Sequence, residues 1–139
     1  ERLRGGWHVY DGRPVAFPFG HGLSYTEFTY MVVRGWSEPR EAGGERSMVV
    51  GIRNTGAAVG AEVVQLYLQF PEHETEKPTM ELRGFHKTPP LEPGEACEVV
   101  FSLALRDLSV WDVAQHRWVL AEGEFGTFVG SSSRDVRLR

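Results

Sequence analysis

Beyond residue 25, apolar side chains recur at every second position. Met48, Val50 and Ile52 share one face of SMVVGIRN, with Ser47 and Arg53 on the other. In AEVVQLYLQF, Val64, Leu66, Leu68 and Phe70 alternate with Val63, Gln65, Tyr67 and Gln69. In EACEVVFSLAL, Cys97, Val99, Phe101 and Leu103 alternate with Glu98, Val100 and Ser102. This period belongs to strands with one buried and one wetter face. FTYMVV, LRGFHK, HRWVLA, EFGTFVG and DVRLR are further strand candidates. Asn54-Thr55-Gly56 with Gly60, Pro89-Pro90 with Pro93-Gly94, and Glu122-Gly123 supply turns between the apolar runs. LALRDLSVWDVA comes nearest to a helical stripe, and Asp107-Leu108-Ser109 within it predicts a short helical turn at most. About seven short strands with regular turns predict an antiparallel β-sandwich.

Two stretches stand outside this pattern. Residues 1–25 carry aromatics without alternation and five glycines, at 5, 6, 12, 20 and 22, and read as an extended lead-in arm. Residues 71–79, PEHETEKPT, form a charged, proline-bounded loop of the kind that lies on the surface.

A length of 139 residues suits one domain with a real core. A net charge of −4 without a Lys/Arg block argues against nucleic acid as a partner. The apolar runs are too short for a membrane-spanning helix, so no membrane partner is expected. Cys97 is the only cysteine, which excludes an internal disulfide and cysteine-based zinc sites. Asn54, the only asparagine, precedes Thr55-Gly56, so no N-glycosylation acceptor exists. The opening Glu1-Arg2-Leu3-Arg4, without an initiator Met, has the look of a piece cut from a longer chain.

Candidate chemistry is sparse. Glycoside hydrolysis needs paired carboxylates in contrasting environments, but Glu72, Glu74 and Glu76 sit in the charged loop without apolar flanks. Asp107 is placed to cap a turn, and Asp112 lies just beyond it. The histidines at 8, 21, 73, 86 and 116 show no metal-ligand spacing, so neither metal nor other cofactor is expected. Ser131-Ser132-Ser133 lacks a nucleophile-elbow context and suits a turn or bulge. Cys97 alternates with core positions and reads as a buried, inert thiol. Trp7, Trp36, Trp111 and Trp118, with Tyr10, Tyr25, Tyr30 and Tyr67, are expected to pack rather than to stack on sugar, with Trp118 in the core.

The order of motifs is distinctive. GGWHVYDGRPVAFPFGHGLSYTEFTY, NTGAAVGAEVVQLYL, ELRGFHK, LEPGE, DLSVWD, HRWVLAEGEF and VGSSSRDVRL follow one another along nearly the whole chain. The set resembles the entry into, and body of, the last domain of glycoside hydrolase family three enzymes, the β-glucosidases and their relatives. The resemblance implies an all-β, fibronectin type III/immunoglobulin-like antiparallel β-sandwich of about seven strands with an extended N-terminal arm. Residues 1–25 would be the linker arm from the preceding catalytic region and 26–139 the fibronectin type III-like domain.

The resemblance also implies that the catalytic residues lie elsewhere. The family's nucleophilic Asp stands in an SDW-like motif, which is absent here. The acid/base Glu usually comes from a separate α/β sandwich domain. This piece is then no enzyme by itself, but part of a retaining, exported β-glucosidase acting on terminal β-D-glucosyl residues. Phe17, Pro18, Phe19, Gly20, His21, Gly22, Leu23, Tyr25 and Phe28 become domain-interface or structural positions, with the parent's catalytic domains as partner and a β-glucoside reached only through the parent. Pro18 stiffens the approach, while Gly20 and Gly22 permit positive φ or close contact beside His21. Two alternatives remain open: a carbohydrate-binding module using Trp36, Tyr67 or Trp111, and a loop 71–79 that reaches the rim of the parent's active site.

Overall fold

In a computed structural model of the chain, the described residues are 13–38, 44–74, 78 and 80–139. Trp7, His8, Tyr10 and Glu76, with part of the arm and of the 71–79 loop, lie outside them. Nine strands follow in chain order: β1 (Phe28–Arg34), β2 (Arg46–Asn54), β3 (Val63–Gln69), β4 (Glu81–Lys87), β5 (Ala96–Leu103), β6 (Ser109–Asp112), β7 (Arg117–Leu120), β8 (Gly126–Gly130) and β9 (Val136–Leu138). A three-stranded sheet runs β1-β2-β5 and a four-stranded sheet β4-β3-β8-β9. Together they supply the expected seven-stranded antiparallel sandwich. The remaining two, β6 and β7, pair as a separate ribbon.

The period-two faces meet in the middle. Val50 and Ile52 of β2, Val64, Leu66 and Leu68 of β3, Phe101 and Leu103 of β5 and Val129 of β8 are buried in one cluster. Each such side chain contributes roughly 2 kcal/mol of transfer free energy. Phe28, the first residue of β1, joins this cluster, so it belongs to the sandwich's own core rather than to an outer interface. Gly84 lets β4 approach β5, since a Cβ there would stand 3.2 Å from the Phe101 ring.

The expected short helical turn is present as a single 3-10 turn at Leu105–Leu108, leading into the ribbon strand SVWD, while two other expectations need correction. Asp107 does cap that turn, accepting the Ala104 N–H at 2.9 Å. Trp118 is 45% exposed, not core, because the ribbon stands outside both sheets and leaves one face open. Gln65 and Tyr67 were expected on a wetter face but are only 4% and 0% exposed. The arm supplies part of that cover.

Candidate domain-docking site

The arm turns at Pro18–His21. The His21 N–H donates to the Pro18 carbonyl at 3.1 Å, and Gly20 takes a φ of +79°. A tight turn with positive φ at its third residue calls for glycine there. Phe17 and His21 stack across it, with ring centroids 5.2 Å apart. His21 thus packs against Phe17 while remaining exposed at the surface. Gly22 meets nothing within 4 Å and has no positive φ, so the expected glycine requirement applies to Gly20 alone.

Beneath the turn lies Gln65, on the outer face of β3. A Cβ on Gly20 would fall 2.0 Å from its Oε1. Its amide Nε2 donates to the Gly20 carbonyl at 3.0 Å and also to the Ser131 carbonyl. Its Oε1 accepts the Tyr67 hydroxyl at 2.6 Å. With both ends of the amide engaged, its orientation is fixed. Burial pushes the Tyr67 phenol up to about 12.

The other side of the arm is held by the C-terminal segment. The Ser133 N–H donates to the Phe19 carbonyl at 2.9 Å, and the Arg134 guanidinium donates to the Arg13 carbonyl. Neither Gln65 nor the Ser131–Arg134 segment stood out as functional in the sequence. The one available signal was an amide flanked by Val64 and Leu66 in an otherwise apolar strand.

Past the turn, the chain is led into β1 by Asn54. The Thr26 hydroxyl donates to Asn54 Oδ1 at 2.7 Å, and Asn54 Nδ2 donates to the carbonyls of Ala58 and Leu91, each at 2.8 Å. The Gly56 N–H shares the same Oδ1 at 3.1 Å.

While its backbone is pinned, the arm turns apolar groups outward. Phe17 is 70% exposed, Leu23 and Tyr25 are almost wholly so, and Phe19 is partly so. Pro18 is half-buried between them. Val63 and Phe85 continue this apolar surface on the outer face of β3 and β4. Between arm and sheet opens a cavity of about 790 Å³, whose lining includes Phe19, Leu23, Val63, Phe85, Glu27 and Glu62.

Four polar groups cluster at its edge. Arg137 Nε pairs with Asp135 Oδ1 at 2.7 Å, and its guanidinium stands 5.9 Å from the Tyr30 ring centre. The Tyr30 hydroxyl is buried without a hydrogen bond of ordinary geometry. Burial, and then the charge of nearby Glu62, holds its pKa well above the usual phenol range. Burial likewise raises the Glu62 carboxyl, against the Val63 N–H that donates to it at 2.8 Å.

The remaining candidates do not converge on a second site. Trp36 donates its indole N–H to Thr127 Oγ1 at 3.2 Å and lines a separate cavity of about 560 Å³ with Leu103, Leu108 and Phe125. Tyr67 offers no face to a sugar. Trp111 and Trp118 meet edge-on at 70°, with Arg106 4.9 Å from the Trp118 ring centre. Asp112 accepts the N–H groups of Ala114 and Gln115, and these bonds lower its carboxyl pKa. Cys97 is half-buried, its thiol raised by burial and by Glu95. Among the described residues no group of three His, Cys, Asp or Glu side chains is placed to hold a metal. No helix there is long and apolar enough to cross a membrane.

The chain is similar to a probable β-glucosidase L of Aspergillus fumigatus, 41% identical over 99% of this chain and 21% of that protein. Among solved structures it matches β-glucosidase 3B of Thermotoga neapolitana, with a TM-score of 0.85 and 39% identity over 97% of this chain and 18% of that one. A GH3 β-glucosidase of Bifidobacterium adolescentis gives a TM-score of 0.84 at 31% identity, covering 97% of this chain and 20% of its own. The chain thus spans about a fifth of the length of these relatives, and the resemblance read from the ordered motifs is borne out. The model of the fibronectin type III-like domain matches residues 62–133, from the start of β3 to the serines that hold the arm, and with the two facing sheets this establishes that the chain belongs to the fibronectin type III-like domain family.

Proposed function

We propose that this chain is the non-catalytic C-terminal accessory domain of a β-glucosidase-like glycoside hydrolase of family three. Residues 1–25 are the linker arm from the catalytic region and 26–139 the fibronectin type III-like domain. The domain packs on the catalytic domains and stabilises them. The parent hydrolyses terminal β-D-glucosyl residues with retention, outside the cell, and the glucoside meets the parent's other domains.

The observation that carries this reading is the two-sided arm. Its backbone is bonded to Gln65 and Ser133, while Phe17, Leu23 and Tyr25 are left exposed. Exposed apolar groups on a pinned segment mark a surface built to be covered. Burial against the catalytic region is worth roughly 2 kcal/mol per ring. In the full-length protein, Phe17→Ala with Tyr25→Ala lowers the melting temperature; an unchanged value overturns the reading.

A further inference from the structure

We infer that the cavity between the arm and the β3–β4 face seats a lysine or arginine side chain carried by the catalytic region, its stem on Phe85, Val63 and Leu23 and its charged end at Glu62. The inference rests on the accessory-domain reading above and adds the chemistry of the group that docks.

The cavity has apolar walls and an acidic end. Phe19, Leu23, Val63 and Phe85 are exposed to it, and Glu27 and Glu62 are the carboxylates in its lining. Arg137 also lines it, but its guanidinium is committed to Asp135 and lies near the Tyr30 ring. The His21 ring is taken up by its stack on Phe17. Glu62 makes no ion pair within 4 Å among the described residues; the Val63 N–H donates to it at 2.8 Å and Tyr30 and Arg137 stand near enough to steady it, yet burial outweighs all three and its carboxyl stays raised. A half-buried carboxylate in that state carries a desolvation penalty that an incoming cation offsets.

A long basic side chain matches this shape. Its methylenes cover apolar surface while its head reaches a charged partner. The occupant has a source, since about four-fifths of each relative lies beyond the stretch matched here. The apolar patch around the cavity is continuous with the arm that leads toward that region.

The test uses the full-length protein and Glu62→Gln, which keeps the shape and the acceptor for Val63 N–H. With a cation seated, the substitution shifts the melting temperature down by about 2 °C, and the shift shrinks in 0.5 M salt. Without one, removing a partly desolvated charge leaves the melting temperature unchanged or raises it, which overturns the inference. A purely local role for Glu62 is separated by combining the substitution with Phe17→Ala and Tyr25→Ala. Loss of the Glu62→Gln effect in that background supports docking; full additivity overturns it. If the Phe17/Tyr25 variant alone melts lower while Glu62→Gln does not, the accessory reading stands and only this inference fails.

Discussion

Gly20 rests directly on Gln65: the amide donates to the glycine carbonyl at 3.0 Å, and a Cβ would sit 2.0 Å from its oxygen. The contact joins the turn of the arm to the second face of β3, which explains why an amide in that strand is buried. Gly20→Ala adds a positive-φ penalty to this clash and costs about 2 kcal/mol. The arm then lifts, and the Ser133 amide, which donates to Phe19, exchanges its hydrogen roughly 30-fold faster. Gly22→Ala, in open space, leaves that rate unchanged.

Asn54 is fully buried and serves Thr26, Gly56, Ala58 and Leu91 at once. Asn54→Ala leaves several of these groups without a partner. The expected loss is about 3 kcal/mol, read as a lower urea midpoint with an unchanged slope.

Acid acts on the two carboxyls near Tyr30 in opposite directions. Folded Glu62 keeps its proton above the ordinary value of 4.5 because burial disfavours the charge. In that window the folded state binds more protons, so its contribution is full below 4.5 and is lost as pH rises through the raised folded value. Folded Asp135 lies below the ordinary 3.8, chiefly through its bond with Arg137. Its contribution is full above 3.8 and is lost as pH falls through the lowered value. Urea midpoints measured from pH 7 to pH 3 therefore show a Glu62-dependent rise on mild acidification, absent in Glu62→Gln. An Asp135-dependent fall follows at lower pH, absent in Asp135→Asn.

The ribbon tryptophans are set at 70° to one another and so present no flat row for sugar rings. Cello-oligosaccharides at millimolar concentration leave the indole resonances of Trp111 and Trp118 unmoved. Trp118→Ala loses the edge contact with Trp111 and the Arg106 interaction, about 1 kcal/mol of stability.

The alternation in β2, β3 and β5 made the sandwich legible, because burial of one face is a local property of the strand. Gln65 and Tyr67 defeated the same rule through a long-range contact: residues 45 positions earlier in the chain cover part of that face. Trp118 was misplaced for a different reason. Trp118-Val119-Leu120 is apolar on both faces, so the sequence does not tell which face of the ribbon is covered; only Val119 lies on the half-buried one. In the arm, FPFGHG announced a turn through Pro18 and Gly20, but nothing local revealed its seat. The polar groups that hold it lie at Gln65, Ser131 and Ser133, and alternation is blind to pairings at that separation.

The bond between Arg13 and Arg134 joins positions 121 residues apart. On a ribosome that extends the chain by roughly 5–20 residues per second, the arm emerges many seconds before the residues that clasp it. Its full seating thus waits on residues made long after it, and the clasp closes only once Ser133 and Arg134 have been added.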